Sequence, residues 1–295
     1  MEIRQLEYLV AVADHAGFTK AAKACSVAQP SLSQQIAKLE DEIGLPLFER
    51  MGRTVTPTDA GQVMIDRARG ILAAIEDAHF EARHVGRAIA GRLRVGTVAT
   101  VAQLILPDVV ARFARKHPDV ELIIQEQTTE VLSQQTISGE LDLAIVSREI
   151  TDARLRAEKL LTEQFLLALP AEHHLSARKR IQPESLEECR FVLHQPRQGA
   201  VTIVEEYCRQ QGFEPLIACR GIQLATVQAM VGAGLGVAFV PEMAARSDRS
   251  ASRVYRPIVH SGPSRSISLV TRRHRMHTPA SLLFQDALRG EMTGT

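Results

Sequence analysis

Residues 29–40, Gln-Pro-Ser-Leu-Ser-Gln-Gln-Ile-Ala-Lys-Leu-Glu, carry two kinds of side chain at helical spacing. Leu32, Ile36 and Leu39 make an apolar stripe, while Gln29, Ser31, Ser33, Gln34 and Lys38 make the opposite one. The second stripe holds short hydrogen-bonding groups and one cation, a set able to reach base edges and phosphates in a DNA major groove. Pro30 falls in the first turn, where its missing N–H costs nothing. Shortly after, two extended pieces (44–50 and 52–58) flank a glycine turn at Gly52 with Arg50 and Arg53 beside it, which reads as a wing. No Ser-His-Asp order, His-Glu-x-x-His or paired-carboxylate pattern occurs, and no Cys-x-x-Cys pair, so neither catalysis nor a metal is expected.

Helices must hold that stripe in place. Leu6, Leu9, Val10, Val12 and Ala13 recur at helical spacing, predicting an amphipathic helix over 3–14 that ends at the turn 15–17. A second helix opens at 18–22 with Thr19 as its cap and ends near Cys25. Downstream, Met64, Ala68, Ile71, Ile75, Ala78, Ala82, Val85 and Ile89 alternate steps of four and three, a heptad seam suited to a coiled coil. Thr58 caps that helix and Gly91 marks its end, and the same pattern would also serve one long helix packed on its own domain.

From residue 91 the period changes. Strands at 93–97, 120–126 and 141–146 alternate with helices at 102–117 and 129–138, predicting a parallel sheet with crossover helices. A second lobe follows residue 161, with strands at 165–170, 192–194 and 237–240 and helices at 201–210 and 224–233. A strand at 266–271 and a helix at 279–288 complete the chain.

Bulk properties agree with a multidomain globular protein. The 295 residues suggest two or three domains, and 45% hydrophobic with 23% charged residues is ordinary globular composition. No apolar run approaches the ~20 residues of a membrane span, and no secretory signal opens the chain, so a cytoplasmic protein without membrane contact is expected. Four cysteines in such a compartment are expected to be free. The net charge is +1, but residues 1–61 hold six basic against eight acidic side chains. A DNA reader with that balance must separate its signs onto different faces.

Residues 18–61, FTKAAKACSVAQPSLSQQIAKLEDEIGLPLFERMGRTVTPTDAG, resemble the DNA-binding signature of LysR-type transcriptional regulators, and the resemblance runs in register to about residue 290. It implies an α/β chain: a winged helix-turn-helix over 1–58, a dimerising linker helix over 59–90 and a two-lobed, periplasmic-binding-protein-like effector domain over 91–295. Lobe I would span 91–161 and 268–295 and lobe II 162–267, with the chain crossing near Leu161 and Ile267. Position by position, Gln29, Pro30, Ser31, Ser33 and Gln34 would face the major groove, Lys38 and Arg50 the phosphates, and Arg53 the minor groove. Met51 stands where the family often has a polar or basic residue. The implied partners are double-stranded promoter DNA, a small-molecule effector and further copies of the chain, as a homodimer through the linker helix and a homotetramer. No cofactor and no enzymatic activity are implied.

In open parallel sheets a ligand binds beyond the carboxyl ends of the strands. That rule selects Thr100 and Val101 after the first strand, Thr128 and Thr129 after the second and Ser147 after the third. On the facing lobe it selects Arg197, Gly199 and Thr202, between a strand and a helix start. Thr100, Thr129 and Thr202 form a candidate clamp, although any one threonine is as readily a helix cap. Gly232-Ala233-Gly234-Leu235-Gly236 follows a helix and precedes a strand, the reverse of a dinucleotide site, so it reads as a turn.

Within the family, 98–107, 127–146 and 232–241 resemble the peroxide-sensing OxyR branch. That resemblance implies a resolving cysteine at Cys208, while Gly199 occupies the position of the reactive one. Peroxide chemistry needs an accessible thiolate as first nucleophile, so non-covalent sensing is the leading expectation. A redox role of Cys208, alone or paired with Cys219, is the alternative. The arginines between Arg246 and Arg275 read as a solvated or inter-protomer face.

Overall fold

The computed structural model describes residues 1–51, 54–83, 89–194, 199–221, 223–260, 262–273 and 277–293. Arg53, Val85 and Arg197 lie outside the described residues.

The N-terminal unit is built on α1 (Ile3–His15), α2 (Phe18–Ala24) and α3 (Gln29–Ile43). Their apolar stripes meet in one core, in which Leu9, Val12, Ala21, Leu32, Ile36 and Leu39 are wholly buried. Gly17, not Thr19, precedes α2, because Phe18 opens the helix with its ring buried edge-on to Phe48 at 5.9 Å. β1 (Phe48–Met51) pairs antiparallel with β2 (Thr54–Pro57) to form the wing. α4 (Asp59–Arg83) follows, about 37 Å long at 1.5 Å per residue. Its start is capped by Thr58, whose Oγ1 accepts the Gly61 N–H at 2.9 Å. Ile65 and Ala68 of α4 complete the N-terminal core. Gly91 opens a strand at φ +146° instead of closing the helix.

The remaining chain forms two lobes. β3 (Gly91–Thr97), β4 (Val120–Glu126) and β5 (Leu143–Val146) are parallel, in the order β4-β3-β5. The helix expected over 102–117 is two, α5 (Ala99–Leu104) and α6 (Leu106–Lys116), broken at Ile105. Pro107 explains the break, since it lacks the N–H for a continuous helix and constrains the residue before it. α7 (Thr129–Ser138) covers the other face.

β6 (Leu155–Pro170) is one continuous strand of 16 residues, where only its second half was expected. Its first half pairs with β11 (Ser264–Arg272) in lobe I; its second half pairs with β9 (Ala238–Pro241) and β10 (Arg253–Arg256) in lobe II. Lobe II also holds β7 (Arg190–His194), α8 (Gly199–Gln210), β8 (Leu216–Gly221), α9 (Leu224–Gly232) and α10 (Glu242–Ser247). α11 (Pro279–Thr293) returns to lobe I, burying Phe284 against Phe113. Leu161 stands opposite Ile267, and the register shifts at the next step, between Ile267 and Ser268. The two strands shared by both lobes are therefore bonded to each other at the crossing.

Candidate functional site

Two surfaces carry the polar groups singled out in the sequence. On α3, Gln29, Pro30, Ser31, Gln34 and Lys38 are exposed and Ser33 is half-buried, while Leu32, Ile36 and Leu39 are wholly buried. Arg50 lies in β1, opposite Val55. α1 holds α3 from behind through the buried Gln5, whose Nε2 donates to Gln35 Oε1 at 3.3 Å. Three acids of this unit are engaged within the protein. Glu40 accepts the Leu47 and Phe48 N–H groups at 2.7 and 3.3 Å, Glu42 pairs with the N-terminal amine at 2.6 Å, and Asp14 pairs with Arg69. These partners engage three of the eight acids, and Lys20, Lys23 and Lys38 are exposed.

The second surface is a cavity of about 360 Å³ between the lobes. Thr100, Thr128, Thr129 and Ser147 border it from lobe I, as expected of strand ends; His194, Gln223, Leu224 and Pro241 border it from lobe II. Of the clamp threonines in lobe I, Thr129 opens α7 at the edge of the cavity and Thr100 is engaged by Arg265 rather than by a helix end. Thr128 is the residue before α7 but its hydroxyl makes no capping bond, and Thr100 Oγ1 accepts from Arg265. Val101 does not reach the cavity: it is wholly buried in the lobe I core with Val109 and Phe113. Gly199 opens α8 and Thr202 lies in its first turn; Thr202 does not border the cavity, and Leu224 and His194 face lobe I there.

Arg265 was not singled out by sequence. It is 5% exposed and sits at the floor of the cavity. Its Nε donates to Glu163 Oε2 at 2.7 Å, its Nη1 donates to Thr100 Oγ1 at 2.9 Å, and its guanidinium lies 5.7 Å from the Phe165 ring centre. Nη2 lies 2.6 Å from the same Glu163 oxygen, without an aligned hydrogen bond. Glu163 is 4% exposed and its Oε1 accepts the Met243 N–H at 3.0 Å. Arg265 and Glu163 are direct cross-strand partners on β11 and β6. One buried pair thus links α5 of lobe I, the two shared strands and α10 of lobe II.

All four cysteines are free. Cys208 is wholly buried in the lobe II core, where burial pushes its thiol up to about 12. Cys219 Sγ lies 3.3 Å from Met230 Sδ. Gly234 takes φ +83° after α9, a turn before β9. Among the described residues no cluster of metal-ligating side chains occurs, and no helix is long and apolar enough to cross a membrane.

A winged helix-turn-helix joined to a two-lobed cavity defines a DNA-binding regulator with an effector domain. Residues 3–62 match the bacterial regulatory helix-turn-helix proteins of the lysR family, and residues 86–293 match the LysR substrate binding domain. The chain belongs to the LysR family, whose members are transcription regulators and not enzymes. It is 34% identical over 273 residues to the hydrogen peroxide-inducible genes activator of Dickeya chrysanthemi, covering 92% of this chain and 90% of that one. It is 32% identical over 298 residues to the DNA-binding transcriptional dual regulator OxyR of Escherichia coli strain K12, covering 100% and 97%. A full-length OxyR variant from Pseudomonas aeruginosa superposes with a TM-score of 0.74 at 28% identity, covering 99% and 94%.

Removing one partner of a buried ion pair leaves an uncompensated charge, at a cost of about 3–5 kcal/mol, whereas replacing both is far milder. Arg265→Met is therefore expected to lower stability to urea by that amount, with Glu163→Gln in the same chain restoring most of it. An Arg265→Met protein as stable as the parent would contradict the pairing.

Proposed function

We propose that this regulator's grip on promoter DNA is set by a small molecule held without a covalent bond between the two lobes. The carrying observation is the cavity of about 360 Å³, bordered from both sides and floored by the buried Arg265. Its size and mixed lining suit a small polar ligand. Thr100, Thr128, Thr129 and Ser147 would contact the ligand from lobe I, with His194 and Arg265 added to the set.

The boundaries 1–58, 59–90 and 91–295 are supported by the change from helix to sheet at Gly91, and the lobe boundary by the Leu161–Ile267 crossing. In DNA, the exposed side of α3 would enter the major groove through Gln29, Pro30, Ser31, Ser33 and Gln34, with Lys38 and Arg50 on phosphates. Homodimerisation through α4 is supported by its seam: Ile71 is 39% exposed, and Ala78 and Ala82 are exposed as well. Further pairing into a tetramer is supported by apolar side chains on the two outer strands, Ile124 on β4 and Leu216 and Ile217 on β8. The protein would act in the cytoplasm, where the DNA is.

In vitro selection from random duplexes with the full chain is expected to return two related half-sites in two-fold arrangement. Gln34→Ala should cost about 1–3 kcal/mol on the selected duplex and relax one base position. Lys38→Ala should weaken all sequences alike and reduce the salt slope by about 1. Failure to enrich any duplex would overturn the reading.

The names of the peroxide-inducible relatives favour a second reading, in which Cys208 responds to oxidant. With a thiol near 12, roughly one Cys208 in 10⁵ is thiolate at neutral pH, and the thiolate is the reactive form. Cys208 is therefore expected to resist maleimide and peroxide in the native protein and to label only in urea. A sulfenate or disulfide at Cys208 after mild peroxide would establish the redox reading instead.

A further inference from the structure

Lobe I rests on the linker helix at two points. At the first, Gly70 of α4 meets the carbonyl of Ser138, the last residue of α7; a Cβ at Gly70 would stand 2.1 Å from that oxygen. Beside it, Arg69 reaches in two directions. Its Nη2 donates to Asp14 in the last turn of α1, and its Nη1 lies 3.5 Å from Glu140, just beyond α7. Glu140 is itself held by Ser138, whose Oγ donates to it at 2.9 Å. Both acids keep the Arg69 guanidinium charged, outweighing the effect of its partial burial. At the second point, Glu76 accepts from Arg92 at 2.9 Å and lies 3.4 Å from Arg94, both on β3.

Seven residues separate Arg69 from Glu76, so at about 100° per residue they share one side of α4. Ile71, Ile75, Ala78 and Ala82 fall on the opposite side by the same arithmetic. The helix therefore docks its own lobe I with one face while the other stays open to a second copy. The cavity enters this arrangement through α7. Thr129, its first residue, borders the cavity, and Ser138, its last, sits on Gly70. Ten residues of helix, about 15 Å, join the two ends.

We infer that α7 is a lever between the cavity and the linker helix, and that Arg69 is the tie that passes its movement to the DNA-reading unit through Asp14. The inference rests on the reading that the inter-lobe cavity holds the effector. A displacement at Thr129 tilts α7; its far end cannot slide over Gly70 without parting Glu140 from Arg69. α1 moves with Asp14, and α1 carries α3 through Gln5 and Gln35. Neither Arg69 nor Glu140 lies on the exposed side of α3, so their loss breaks the coupling and spares the grip on DNA.

The test uses the full chain, the selected duplex and Thr128→Trp, whose indole occupies the cavity in place of a ligand. Thr128→Trp is expected to shift Kd for the duplex by about fivefold or more in the parent and by less than about twofold in Arg69→Met or Glu140→Gln, the range of ordinary allosteric coupling. Each of those two changes alone should bind the duplex like the parent, and Arg69→Met should speed amide exchange at both 10–16 and 136–141. If the full shift survives in Glu140→Gln and Arg69→Met, the tie is overturned and the cavity reading stands. If Thr128→Trp shifts nothing in the parent, the cavity reading fails and the tie falls with it. Glu140→Gln, a conservative change at a half-buried position, keeps the test decisive should Arg69→Met fold poorly.

Discussion

The close approach of Gly70 to the Ser138 carbonyl fixes how lobe I meets the linker helix. No larger residue fits there without moving lobe I off the helix. α4 consequently answers to three demands at once. Ile65 and Ala68 belong to the core of the DNA-reading unit, Arg69, Gly70 and Glu76 face lobe I, and the opposite side keeps its apolar seam. The ion pairs around this contact are partly exposed, and pairs of that kind stabilise by about 0–1 kcal/mol each. Steric fit therefore sets the position of lobe I on the helix, with the charges adding little energy of their own.

The pairing of Glu163 with Arg265 plays the corresponding part between the lobes. Both are buried, and each satisfies a group from a different lobe, Met243 N–H in one case and Thr100 Oγ1 in the other. A neutralised pair of this kind adds little to stability but tolerates few other geometries. It sits beside the register shift of β11, where the two shared strands cross. The two lobes thus share a fixed polar floor, in which Arg265 and Thr100 are already held in place.

Much of this was legible in the sequence where a local period carried it. The stripe of α3, the seam of α4 and the alternation of strands and helices after residue 91 each repeat within a short window, and Thr128, Thr129 and Ser147 follow from their places at strand ends. What escaped had no local period. Arg265 gains its place from a partner 102 residues away across an antiparallel register, which no neighbouring residue announces. Val101 was misplaced because α5 turns it inward, a detail set by the break at Ile105. The first half of β6 is largely exposed and mixes charged with apolar residues, and β8 and β10 are too short to show a period of their own.

Paired α4 helices would hold two α3 helices at a fixed separation on DNA. Helical phasing measures it most directly. With the selected duplex, an insertion of about 5 base pairs between the half-sites should reduce affinity to that of a single half-site, and one of about 10 should restore much of it. An affinity indifferent to half-site spacing would rule out pairing through α4.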